Sequence, residues 1–142
     1  MEFISKSEKD TIKLAKKFEK KLKGGEVVVL NGDLGAGKTT FTKALCKALK
    51  VKENVTSPTF TLMNIYTSGR LPLYHFDMYR IEEESEAEEL GLNDYFYSNG
   101  VCMIEWAQNI KHILPKNLIT INIEKLGETS RKFEILGMEG LH

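Results

Sequence analysis

Residues 32 to 45, GDLGAGKTTFTKAL, constrain this chain more than any other stretch. Three glycines fall within six positions, and Lys38, Thr39 and Thr40 follow directly. Gly32 to Thr39 satisfies G-x-x-x-x-G-K-[ST] at every fixed position, the apolar run VVVL precedes it, and Phe41, Ala44, Leu45, Ala48 and Leu49 then recur on one helical face. That is the strand, loop and helix context of a phosphate-binding P-loop. Glycines let successive N–H groups turn inward around phosphate oxygens, and the helix N-terminus adds partial positive charge. In such a loop Lys38 reaches the β- and γ-phosphates and the Thr39 hydroxyl ligates magnesium.

The rest of the chain alternates helix and strand. Ser7 and Asp10 have capping-box spacing, and Ile12, Ala15, Phe18 and Leu22 repeat helically until Gly24 and Gly25. TFTLMNIY (59–66) and LPLYHFDMY (71–79) are expected to be strands joined through Ser68-Gly69, and VCMIEW (101–106) another strand, followed by a short helix ending before Pro115. LITINIE alternates Ile119, Ile121 and Ile123 with polar residues, and RKFEIL can return beside it. The expected fold is α/β and P-loop NTPase-like: a mixed, mainly parallel sheet flanked by helices, with a C-terminal antiparallel hairpin. At 142 residues the expectation is one domain over 1–142. No stretch has the length of a signal-peptide core or a membrane span, which predicts a cytoplasmic protein with no membrane contact. Cys46 and Cys102 belong to no metal-ligand cluster and are expected to be reduced core residues.

A P-loop needs a further carboxylate for its metal, usually at the end of a buried strand. Glu105 follows four apolar residues and is assigned to magnesium; Asp77 ends LYHFD and is assigned to the attacking water or the outer shell. Thr59, in SPTF, offers a hydroxyl that can order on the γ-phosphate and release after hydrolysis. His75 alternates with Asp77 and either points toward the site or is a hydrogen-bonded core histidine. Trp106 either stacks on a base or partner or packs, and it faces away from Glu105 if the strand continues through it.

GDLGAGKTTF, SPTF, LYHFDMYR, GLNDYF and IEW, in this order and at these separations, resemble the TsaE family, small ATPases of bacterial tRNA threonylcarbamoyladenosine synthesis. The resemblance runs from about Ser7 to Leu136. It implies ATP/ADP and Mg2+ as ligands, ATP hydrolysis, and a partner pair like TsaD and TsaB that supports modification of the adenosine beside the anticodon. Carried over, the nucleotide loop falls on Gly32, Asp33, Leu34, Gly35, Ala36, Gly37, Lys38, Thr39 and Thr40. The metal ligands fall on Thr39 and Glu105, the switch threonine on Thr59 and the essential acid on Asp77. Arg131, with Glu8 and Thr11, would border the nucleotide. Lys50 stands where many members have glycine, outside the site.

With 20 basic and 20 acidic residues the chain lacks the field that grips a nucleic-acid backbone unaided, so tRNA contact is expected only through the partner. Eight lysines from Lys6 to Lys23 and six glutamates from Glu82 to Glu89 read either as solvated faces or as opposite patches that orient docking. Two other functions share the motif. A small-molecule kinase would transfer phosphate to an acceptor, but such enzymes surround the phosphates with arginines, and only Arg70, Arg80 and Arg131 exist here. A nucleotide-responsive docking module would bind without appreciable turnover.

Overall fold

The run VVVL makes the centre of a sheet because both of its faces are covered. Val28 and Leu30 enter one apolar cluster, Val27 and Val29 the other. A strand buried on both sides reads as continuous rather than alternating hydrophobicity. In the computed structural model, which describes residues 1–33 and 35–141, this segment is β2 (Val27–Gly32). Among the described residues it joins β1 (Glu2–Ser5), β3 (Met63–Tyr66), β4 (Leu73–Asp77), β5 (Val101–Glu105), β6 (Ile119–Lys125) and β7 (Arg131–Leu136) in one sheet, ordered β1-β7-β6-β2-β5-β4-β3. The inner four strands, β6-β2-β5-β4, are parallel, and β3, β7 and β1 are added antiparallel. The expected class and the terminal hairpin are both present.

Helices α1 (Glu8–Lys21) and α2 (Lys38–Ala48) cover one face, where Phe41 packs edge-on to Phe18 at 5.8 Å and against Phe133 at 5.6 Å. Two short helices, α3 (Glu84–Glu89) and α4 (Leu92–Phe96), and a 3-10 turn (Ala107–Ile110) cover the other. The eight lysines from Lys6 to Lys23 are all exposed, on and beside α1, whereas the glutamates lie at α3 on the opposite face. Part of that acidic run is structural: Glu83 and Glu86 form a capping box at the start of α3. Both cysteines are free and buried, and burial pushes their thiols up to about 12. No helix among the described residues is long and apolar enough to cross a membrane.

Several elements differ from expectation. The strand expected over 59–66 begins only at Met63, because Leu62 adopts φ 67° and its N–H closes a turn onto the Pro58 carbonyl at 2.7 Å. The strand expected over 71–79 is β4 alone, and the helix expected before Pro115 is only the 3-10 turn. At Ser7 the side chain accepts from the Asp10 N–H as expected, but Asp10 reaches back to the Lys6 N–H, one residue upstream of the reciprocal capping-box donor. Strand β1 was not expected at all. Its pairing with β7 sets Ser5 opposite Arg131 and thereby fixes the start of α1 beside the glycine loop.

Candidate functional site

Register assembles the site. In the parallel pair β4 and β5, Asp77 lies opposite Glu105, and Glu105 lies opposite Leu30 of β2, two residues before the glycine loop. Parity turns the acids inward: Leu73 and Val101 belong to the cluster under α1 and α2, so Asp77 and Glu105 point to that same side. Both carboxylates therefore stand at the C-terminal ends of parallel strands, where open α/β sheets form ligand crevices.

The loop closes this crevice from above. The Ala36 N–H bonds the Asp33 carbonyl at 2.9 Å, and Gly35 and Gly37 take φ 80° and 109°, a region costly for side-chain-bearing residues. Gly32 is tight for space instead: a Cβ there would stand 3.0 Å from the Ile123 carbonyl oxygen and 3.1 Å from the Ala36 Cβ. Gly37 is also the N-cap of α2 and supplies no side-chain acceptor, which leaves first-turn amides available to an anion. Leu34 lies outside the described residues.

A cavity of about 570 Å3 results, lined by Gly35, Gly37, Lys38, Thr39, Thr40, Ser57, Thr59, Asp77, Tyr79, Glu105, Trp106 and Arg131. Gly32, Asp33 and Ala36 shape the turn and border a separate cavity on its other side. Lys38 Nζ lies 3.4 Å from Glu105 Oε1, and His75 Nε2 lies 2.7 Å from Glu105 Oε2. Burial works against charge on Glu105, but the hydrogen bond and charge of His75, and then those of Lys38, outweigh it and hold the carboxyl below the usual carboxylate range. Thr59 donates to Asp77 Oδ2 at 3.1 Å and shares a hydrogen bond with Ser57 at 2.8 Å, while the Tyr79 N–H donates to Asp77 Oδ1 at 3.0 Å.

Arg131 spans the loop, donating to the carbonyls of Gly35 at 3.2 Å and Gly127 at 3.0 Å. It also edges an adjoining cavity of about 350 Å3 with Glu8, Thr11, Gly37 and Thr40, so the N-terminal residues and the late arginine come together beside the loop. The Thr11 hydroxyl is already bonded to Ser5 at 2.7 Å.

Trp106 does not face away from Glu105. Strand β5 stops at Glu105, and Trp106 turns left-handed at φ 58°, which swings its ring to 5.7 Å from Lys38 Nζ and 4.8 Å from Tyr79. Sequence reasoning missed Tyr79, Ser57 and the bond from His75 to Glu105. Tyr79 continues the alternation of His75 and Asp77, the one signal that marks it.

A glycine loop between a buried parallel strand and a helix, facing two strand-end acids, defines the P-loop class. A family model described as "Threonylcarbamoyl adenosine biosynthesis protein TsaE" matches residues 5–133, and the chain belongs to the TsaE family. It is 50% identical over 110 residues to the tRNA threonylcarbamoyladenosine biosynthesis protein TsaE of Bacillus subtilis (strain 168), covering 78% of this chain and 68% of the relative. The protein of that name from Aquifex aeolicus (strain VF5) is 46% identical over 136 residues, 94% of each chain. The one from Treponema pallidum (strain Nichols) is 39% identical over 135 residues, 95% of this chain and 99% of the relative. Among solved structures, the crystal structure of Bacillus subtilis YdiB superposes with a TM-score of 0.80 at 38% identity, covering 94% of this chain and 82% of that one.

Proposed function

We propose that residues 1–142 act as one P-loop ATPase domain in the cytoplasm, serving tRNA threonylcarbamoyladenosine biosynthesis together with a TsaD/TsaB-like partner pair that holds the tRNA. The observation that carries this is the meeting of Lys38, Thr39, Thr59, Asp77 and Glu105 on one cavity under a glycine loop. The names of the relatives supply the pathway.

The donors suit Mg2+. Among the described residues no group of three His, Cys, Asp or Glu side chains is poised to cage a metal. A hydroxyl at Thr39 and an ionised carboxylate at Glu105 match a hard cation that completes its shell with phosphate oxygens and water. Bound there, the ion would neutralise charge on the β- and γ-phosphates. In hydrolysis a water oxygen attacks the γ-phosphorus, the bond to the bridging oxygen breaks and ADP leaves. Lys38 leaves Glu105 for the phosphates, the amides at the start of α2 hold phosphate oxygens, and Asp77 orients the water. Arg131, Glu8 and Thr11 border the nucleoside side.

Only Arg131, among the three arginines, lines the cavity, and its guanidinium is engaged with loop carbonyls. Phosphate release from ATP by the protein alone is therefore expected to be slow and to rise at least about tenfold with the purified partner pair. No release in either condition, with nucleotide-dependent docking retained, would favour the docking module.

Thr59 couples nucleotide to partner. Its hydroxyl donates to Asp77 at the cavity, and a γ-phosphate that takes this hydrogen bond would reshape the turn that carries Phe60, which is 81% exposed with Arg80 stacked 5.3 Å from its ring. Partner affinity is expected to differ by at least ~1 kcal/mol between ADP and a non-hydrolysable ATP analogue. Thr59→Ala should shrink that difference while ADP binding stays nearly intact. Equal affinities in the wild-type protein would defeat the switch and leave ATP binding standing.

A further inference from the structure

His75 is 2% exposed, on a strand, and hydrogen-bonded to the carboxylate that ends the next strand. The register makes the pair possible. His75 lies opposite Met103, so Glu105 is its diagonal neighbour two residues further along β5, on the same face of the sheet. An ionised carboxylate only accepts, so His75 Nε2 carries the hydrogen and donates it to Glu105 Oε2 at 2.7 Å. The other ring nitrogen, Nδ1, is buried and has no hydrogen-bond partner among the described residues.

Of the two ring nitrogens it is Nε2 that makes a short bond to a site carboxylate. Lys38 Nζ meets the opposite oxygen, Oε1, at 3.4 Å. The two contacts divide the carboxylate: Oε2 belongs to the strand behind it and Oε1 to the cavity.

We propose that His75 is a positioning residue that fixes Glu105 by Oε2, so that Oε1 alone faces the magnesium–nucleotide site and stays there when Lys38 departs for the phosphates. Without that tether a glutamate, with three rotatable bonds, follows the lysine or turns both oxygens toward it. The inference rests on the reading of Glu105 as the magnesium carboxylate. It assigns the histidine no contact with nucleotide. Outer partners of this kind hold metal ligands in place, and their loss typically weakens metal affinity about 10- to 100-fold.

Two substitutions divide the ring between them. His75→Gln can present an amide N–H near the position of Nε2, whereas His75→Asn is too short to reach Glu105. The readout is the affinity of the full chain for a non-hydrolysable ATP analogue, measured in excess Mg2+ and again in EDTA. In the wild-type protein Mg2+ should tighten binding. His75→Asn should reduce that enhancement about tenfold with the EDTA affinity unchanged, and His75→Gln should retain most of it. The EDTA affinity also reports whether each variant has kept the loop and the fold. A wild-type enhancement in His75→Asn, or equal losses in both variants, would overturn the positioning role. Nucleotide binding without any Mg2+ enhancement in the wild-type protein would instead overturn the assignment of Glu105, and this inference with it. A further measurement needs no folded Asn variant: the wild-type protein should show a slowly exchanging imidazole N–H resonance that is absent from His75→Gln. Finding no such proton would also overturn the proposal.

Discussion

Lys38→Ala is expected to lower ATP affinity at least tenfold, or ~1.4 kcal/mol, and to cut partner-stimulated phosphate release about a hundredfold or more. The loop should survive the change, because its shape depends on the left-handed glycines at 35 and 37, the close fit at Gly32 and the Asp33 to Ala36 bond, none of which involves the lysine side chain. What disappears is the one lysine that lines the cavity. Ground-state binding and turnover should both suffer, since the amine is proposed to meet β- and γ-oxygens whose charge shifts during transfer. The variant also strips Glu105 of its contact at Oε1 while leaving His75 on Oε2. Nucleotide titration and phosphate release together check the outcome. Unchanged turnover would remove the P-loop from the chemistry.

The parts of the site legible in the sequence were those that local chemistry fixes. The glycine spacing of 32–37 admits few conformations, and a carboxylate after four apolar residues, as at Glu105, has few roles in a buried strand. The alternating isoleucines of β6 expose their period directly. What escaped depends on distant pairing or on tertiary override. His75 and Glu105 are 30 residues apart and meet only because β4 and β5 run parallel in one particular register. Strand β1 contributes four residues, held by distant partners: β7 beside it, the core under Phe3 and Thr11 of α1 on the Ser5 hydroxyl. Thr59 to Leu62 has good strand propensity, yet Leu62 turns left-handed and the segment folds so that the Thr59 hydroxyl meets Asp77. Trp106 likewise abandons the strand at φ 58°, which no local preference of tryptophan signals. Among the described residues three non-glycines take positive φ: Trp106 lines the cavity and Leu62 accepts the Asp77 N–H at 2.9 Å, whereas Lys50, at φ 68°, lies outside the site.

Asp77→Asn is expected to slow hydrolysis of bound ATP by about 10²- to 10⁴-fold, the usual worth of a group that handles the proton or orientation of an attacking water. Asp77 holds two donors, the Tyr79 N–H on Oδ1 and the Thr59 hydroxyl on Oδ2. Asparagine keeps one acceptor oxygen, which can serve Tyr79 and preserve the end of β4, while its amide cannot accept from Thr59. The fold and the metal ligands should therefore persist, and ADP affinity should change by less than about threefold. Glu105→Ala should behave differently. It removes the carboxylate that Lys38 and His75 hold between them, so nucleotide affinity should lose its dependence on Mg2+ before any chemical step is considered. Single-turnover hydrolysis at saturating ATP, with the partner pair present, isolates the first effect; Mg2+ titration against nucleotide affinity isolates the second. If Asp77→Asn abolishes the Mg2+ dependence and Glu105→Ala slows only the bound-state step, the two acids exchange roles. The positioning role of His75, which rests on Glu105 as the magnesium carboxylate, would fall with that exchange.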